Sequence, residues 1–197
     1  MTRDAPPCSI LLLAGGRGQR VGGRDKGLLD WHGRPLIAHL HALARPFSDD
    51  LIISCNRNPD RYARYADQLV SDATTDFPGP LAGILAGLAQ ARHEQVLVLP
   101  CDAPSLDAEL LHNLLVTATK AAQQPLMIRQ GEQWQPLFCV LPKSLREPLL
   151  ECWNRGERSP LRALLALGAQ AYPCAPDDPR LTNLNTPELL KGTPTKD

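Results

Sequence analysis

The sequence predicts an α/β fold: three layers, Rossmann-like, on a mostly parallel sheet with an antiparallel addition in the C-terminal half. Three observations predict it. Short, wholly apolar runs such as Ile10-Leu11-Leu12-Leu13, Leu51-Ile52-Ile53 and Val96-Leu97-Val98-Leu99 give way to Ala-Gly-Gly, Ser-Cys-Asn and Pro-Cys-Asp, as strands buried on both faces do. Helical segments alternate with them through short connections, the pattern of right-handed βαβ units. Later, Leu126-Met127-Ile128-Arg129 and Gln135-Pro136-Leu137-Phe138-Cys139-Val140-Leu141 flank a Gly131-Glu132 turn, which predicts a hairpin.

Taken in order, the first strand ends at Ala14 and meets the glycine pair Gly15-Gly16. Residues 27–35 read as a short strand and turn, followed by a helix over 35–45 with Pro35 in its first turn and Pro46 ending it. A second buried strand, 51–54, leads into Cys55-Asn56-Arg57-Asn58-Pro59 and a brief helix over 60–66. The strand 68–71 delivers Asp72. A polar loop, 73–79, precedes the helix 80–89, whose small residues permit close packing on a sheet. The strand 95–99 ends in Pro100-Cys101-Asp102-Ala103-Pro104. Helices follow over 107–123, 143–153 and 160–167, with a strand at 170–173. Thr186-Pro187 can open a last helical turn, and the tail 192–197 is expected to be disordered. Without a linker or repeat, 1–197 reads as one domain with two functional halves, over about 8–106 and about 107–191.

Bulk properties narrow the function. The 197 residues are enough for a full α/β core, and 43% are hydrophobic. Lys plus Arg and Asp plus Glu number 21 each, so no global field draws the chain onto nucleic acid or anionic lipid. No apolar run approaches the ~20 residues of a membrane helix. Ile10 to Ala14 is too short for a signal peptide, and Gly16 stands where a lipoprotein signal would need Cys. Six scattered cysteines without a C-x-x-C pair fit free thiols in a reducing cytoplasm. The five histidines have no ligand spacing; His39 and His41, two apart, diverge on a helix.

The chemistry is concentrated in residues 15–26, which carry five glycines, three arginines and one lysine. Glycine lets bare backbone N–H groups approach an anion, and the surrounding cations suit a polyphosphate. A Walker loop would place Gly before Lys and Ser or Thr after it, whereas Arg24-Asp25 precede Lys26 and Gly27 follows. The dinucleotide fingerprint fails as well, since Gly16-x-Gly18 is followed by Gly22, one residue too late. In parallel sheets ligands bind beyond the carboxyl ends of the strands. The glycine loop, Asn56, Asp72 and Asp102 all fall at such ends. Asp102 follows a deeply buried strand, where a charge must meet water, a partner or a metal; Mg²⁺ takes one or two carboxylates plus phosphate oxygens. Asp72 equally suits an Asx turn, and Asn56 a plain turn. Asn183 and Asn185 alternate, so an extended segment presents both amides on one face.

Residues 13–26 resemble the LAGGxGxRMGxDK loop of nucleotidyltransferases, with Val21 in place of Met and Gly23 as an extra residue. With Pro78-Gly79-Pro80-Leu81-Ala82-Gly83, Pro100-Cys101-Asp102-Ala103-Pro104 and Asn183-Leu184-Asn185-Thr186-Pro187-Glu188, the chain resembles the bacterial molybdenum cofactor guanylyltransferase family from end to end, the tail excepted. The resemblance implies a nucleotidyltransferase domain that moves GMP from GTP to a molybdenum-bearing pterin, which is substrate and not prosthetic group. It implies nucleotide contacts at Leu13, Ala14, Gly15, Gly16, Lys26, Asp72 and Asp102, and at an Asn position matched by Ser54 or Asn56. Mg²⁺ on Asp102 is the implied cofactor, and Lys26, Asp102 and Arg20 the catalytic set, with Arg17 adding charge. Asn183, Asn185 and Arg158 are the candidates for the acceptor side. Proteins of cofactor biosynthesis or molybdoenzyme maturation are the implied partners, with no nucleic acid and no membrane. Two other readings share the loop: a cytidylyltransferase for the same pterin, and a catalytically idle nucleotide-binding subunit. The idle form would be expected to lose Lys26 or Asp102, and both are present.

Overall fold

The computed structural model describes residues 6–16, 23–71, 79–121 and 123–184. Arg17, Arg20, Asp72, Asn185, the Thr186 cap and the tail lie outside the described residues. Among those described, the strands are β1 (Cys8–Leu13), β2 (Asp30–Trp31), β3 (Arg34–Pro35), β4 (Asp50–Ser54), β5 (Gln68–Val70), β6 (Gln95–Pro100), β7 (Leu126–Gln130), β8 (Gln133–Pro142) and β9 (Gln170–Cys174). The helices are α1 (Leu36–Ala44), α2 (Pro59–Tyr62), α3 (Pro80–Gln90), α4 (Ala108–Ala121), α5 (Arg146–Asn154) and α6 (Pro160–Ala166).

Seven strands form one sheet in the order β5-β4-β1-β6-β8-β7-β9. β1 pairs parallel with β4 and β6, β4 with β5, and β7 with β9. β8 pairs antiparallel with both β6 and β7. The antiparallel addition is therefore one reversed strand, and β7 and β9 point the same way as β1. β7 and β8 are joined through Gly131, at φ 57°, a backbone state that a two-residue hairpin demands of its first residue. β2 and β3 make a small separate hairpin across His32 and Gly33, both at positive φ. Pro35 is used in β3, so α1 starts one residue later than the sequence predicts.

Alternation in the central strands feeds two apolar layers, which is why their sequences show no polar face. Ile10, Leu12, Leu97, Leu99, Phe138 and Val140 meet α1 and α4 on one side of the sheet. Leu11, Val96, Val98, Cys139 and Leu141 meet α3, α5 and α6 on the other. α3 lies unusually near the sheet. A Cβ on Gly87 would sit 2.4 Å from a methyl of Leu11, and one on Gly83 would sit 2.7 Å from Ser54 Oγ. These two glycines, one turn apart, let the helix seat itself beside β1 and β4.

The N-terminal ends of the strands, opposite the candidate site, are tied by one buried carboxylate. Asp50 accepts from Ser9 Oγ at 2.5 Å, Arg92 N at 2.9 Å, Arg92 Nε at 2.9 Å and Gln68 Nε2 at 2.8 Å. Burial pushes its pKa up, but the donors from Ser9, Arg92 and Gln68 outweigh that and hold it at about 2. The folded value lies below the unfolded one, about 3.9. The resulting stability is therefore fully present above that unfolded value and is lost as pH falls through about 2. Asp50→Asn is expected to cost on the order of 1–2 kcal/mol at neutral pH, tempered by the half-exposed Arg92, and to flatten the acid limb. Urea titrations at several pH values check this; an acid limb identical to that of the unaltered chain would refute it.

Candidate active site

Backbone hydrogen bonds place the tips of β1, β4 and β6 in fixed register. Ala14 N donates to Ser54 O at 2.8 Å, and Cys101 N donates to Leu13 O at 3.0 Å. Beyond these tips opens a cleft of about 340 Å³, within the range of small-ligand sites. Leu13, Ala14, Gly15 and Gly16 form one wall and Pro100, Cys101 and Asp102 another. Ser54, Leu137 and the first turn of α3 at Gly79, Pro80 and Gly83 complete it, with Lys26 at the side. Gly79, at φ 102°, turns the chain so that α3 begins at the cleft. The positive end of an eleven-residue helix therefore borders it, favouring an anion there.

Lys26 donates from Nζ to Asp102 Oδ2, across 76 residues of sequence. Their side chains are 18% and 13% exposed. A lysine in a polar glycine-rich loop is expected to face solvent until a ligand arrives; here Asp102 instead competes with water for the ammonium. The residue before Lys26 has a different task. Asp25 accepts from Tyr62 Oη at 2.5 Å and from Asn58 Nδ2 at 2.9 Å, which fixes the turn Lys26–Leu28 to the helix after β4.

Asn183 and Leu184, the described part of the C-terminal box, reach the same place. Leu184 N donates to Asp102 O at 2.8 Å, and the Leu184 side chain is buried with Leu29 and Leu36. Asn183 is thus held beside Asp102, and its Oδ1 is buried with no hydrogen-bond partner. Arg158 sits differently. Its guanidinium lies 3.8 Å over the Trp153 ring and donates to Trp153 O at 2.7 Å. Its carbonyl oxygen is 3.9 Å from the Cβ position of Gly79, so its backbone adjoins the cleft while its side chain is turned onto Trp153. Of the two candidates after β4, Ser54 lines the cleft, and Asn56 lies beside Gly15, its Nδ2 3.2 Å from that residue's Cβ position.

Several participants were invisible to spacing arguments. Leu137 enters only because the sheet order sets β8 beside β6, and Gly79, legible only as part of a motif, enters through the seat of α3. Asp25 was legible as part of a motif but not as the anchor of its lysine. Burial, then the Asp102 charge, pushes the Cys101 thiol far up, so it stays neutral and is no nucleophile. Burial and the Asp25 charge likewise raise Cys55 to about 11. No histidine lines the cleft among the described residues, nor do these contain a cluster of three or more His, Cys, Asp or Glu able to enclose a metal ion. Such a site can neutralise and orient phosphates.

A glycine loop on the tip of β1 and a lysine against the carboxylate ending β6 give this mostly parallel sheet the character of a nucleotidyltransferase. A family model described as the MobA-like NTP transferase domain matches residues 10–171. The chain belongs to that family. It is similar to a molybdenum cofactor guanylyltransferase of Pseudomonas fluorescens (strain SBW25), 63% identical over 94% of this chain and 92% of the relative. A Pseudomonas aeruginosa (strain LESB58) protein with the same name is 64% identical over 94% of this chain and 93% of its own. Among solved structures it resembles molybdopterin-guanine dinucleotide biosynthesis protein A of Archaeoglobus fulgidus, with TM-score 0.76 and 24% identity, covering 93% of this chain and 95% of that one. That likeness shows the fold. No described helix is long and apolar enough to cross a membrane.

Proposed function

We propose that the chain transfers GMP from GTP to the terminal phosphate of the molybdenum–molybdopterin cofactor, forming its guanine dinucleotide and releasing pyrophosphate. The observation that carries the chemistry is the meeting of Lys26 and Asp102 at the mouth of a cleft walled by Gly15 and Gly16. The names of relatives more than 60% identical carry the choice of guanine and pterin.

The acceptor phosphate attacks the α-phosphorus of GTP as the bond to the β-phosphate oxygen breaks. A phosphomonoester has its second pKa near ~6, so the nucleophile is already an anion and needs no general base. The absence of histidine from the described cleft lining is consistent with this. What must be overcome is repulsion between phosphates. Lys26, the first turn of α3 and the glycine loop supply positive charge and orientation for that purpose. Arg17 and Arg20, within the same loop of sequence, are proposed to add to it, and Asp72 to contact the nucleotide.

Asp102 fits Mg²⁺ in the way that ion is usually held by nucleotide enzymes, with one or two carboxylates and the remaining positions left to phosphate oxygens and water. Bound there, the ion would neutralise phosphate charge and favour departure of pyrophosphate. With the Asp102 carboxylate shared with the ion, Lys26 would be able to turn its ammonium to the triphosphate. On the acceptor side, the unpartnered Asn183 Oδ1 is suited to an N–H donor of the pterin ring, with Asn185 and Arg158 as further candidates. In this reading about 8–106 serves the nucleotide and about 107–191 the acceptor. Cytoplasmic location is part of the proposal, supported by six cysteines that are all free.

The test is pyrophosphate release from each NTP with Mg²⁺ and the pterin cofactor. Release with GTP alone is the expected result. Release with CTP alone supports a cytidylyltransferase, and none with any NTP supports an idle subunit.

A further inference from the structure

The turn that follows β4 touches the glycine loop with three successive side chains. Asn56 Nδ2 stands beside Gly15. Arg57 donates from Nη1 to Gly23 O at 2.8 Å, and from Nη2 to Gly16 O at 3.1 Å and Arg24 O at 3.4 Å. Asn58 Nδ2 donates to the Asp25 carboxylate at 2.9 Å. The turn is itself well fixed. Cys55 N donates to Val70 O at 2.9 Å, Asn58 is in the left-handed region at φ 51°, and Pro59 opens α2.

We infer that Arg57 is a positioning residue for the phosphate loop, a strap that gathers Gly16, Gly23 and Arg24 by their carbonyl oxygens and so sets where Gly15, Gly16 and Lys26 stand at the cleft. This rests on the nucleotide reading above. Arg57 does not line the cleft, so it acts through the loop and not on the substrate.

The physical case has three parts. A stretch so rich in glycine loses more conformational entropy on ordering than any other kind of chain, and cross-links between its two flanks reduce what a ligand must supply. A carbonyl oxygen is the wrong end of the peptide dipole to show a phosphate. In a trans peptide the N–H points opposite to the C=O, so turning carbonyls onto a guanidinium orients the partner N–H groups away from it. Finally, the planar fork of arginine carries five donors and can bond several carbonyls at once, whereas the point charge of lysine cannot reproduce that geometry.

The test separates the fork from the charge. Amide hydrogen exchange is followed at residues 14–16 and 23–26 in the ligand-free full chain, in Arg57→Lys and in Arg57→Ala. Both variants are expected to exchange faster there, with β1, β4 and β6 unchanged. In steady state both should raise KM for GTP about tenfold, the equivalent of one lost charged hydrogen bond, while kcat falls less than about threefold. Two results would overturn the strap: unchanged exchange at those residues, or a wild-type KM in Arg57→Lys, which would reduce Arg57 to a diffuse positive charge. Global destabilisation without a local exchange difference would also count against it. The exchange measurement uses no nucleotide, so failure of the strap cannot be mistaken for failure of the guanylyltransferase reading. That failure would show in the unaltered chain as no pyrophosphate release.

Discussion

Lys26→Ala is expected to lose about 10²–10³-fold in turnover while the protein remains folded, the cost usual for removing one preorganised donor to a charged transition state. The structure adds a condition to this. Lys26 is also the partner of Asp102, so its loss leaves a part-buried carboxylate without its cation, at a cost of about 1–3 kcal/mol. A drop of a few degrees in Tm should accompany the loss of turnover, and circular dichroism should stay native. Lys26→Arg is the informative companion. It can keep an ion pair with Asp102, but its planar fork has different geometry from the ammonium, so stability should recover further than activity. Guanylyl transfer undiminished in a folded Lys26→Ala protein would remove this residue from the mechanism.

Asp102→Asn should lower turnover by about 10²-fold at a Mg²⁺ concentration that saturates the unaltered chain, with part of the loss restored by added Mg²⁺. The amide preserves the shape and one oxygen but removes the negative charge that, in the proposed mechanism, would hold a hard cation. The same substitution removes the anion that Lys26 pairs with, so the two changes act on one unit. Lys26→Ala combined with Asp102→Asn is therefore expected to cost much less than the product of the single losses. A Mg²⁺ titration indistinguishable from that of the unaltered chain would sink the metal role. Fully multiplicative losses would show that the observed pair has no bearing on turnover.

Much of this arrangement was legible from the chain alone, because the signals involved are local. The apolar run Ile10–Leu13 followed by Gly15-Gly16 declared a buried strand and an anion-friendly tip, and β1 does end at Leu13 beside the cleft. Asp102 was identified by its place after β6, and the structure sets it at the same rim. The Gly131-Glu132 turn announced a hairpin. It could not reveal that β8 inserts between β6 and β7, since strand order depends on contacts between residues far apart in sequence. For the same reason the glycines of α3 looked like small residues in general. Only the seat of that helix on Leu11 and Ser54 shows which face they free.

The sequence by itself determined the class of fold, the glycine-rich loop after the first strand, and the lysine and carboxylate on which the proposed chemistry rests. Each is written in a few neighbouring residues, through periodicity, glycine content and strand-end position. Tertiary structure decided how those pieces meet: Lys26 against Asp102, Leu184 N on Asp102 O, Asp25 under Tyr62, and Arg57 across the loop. These are hydrogen bonds between segments separated by tens of residues. Their partners are selected by the sheet that brings strand tips together, and no local pattern encodes which donor will find which acceptor.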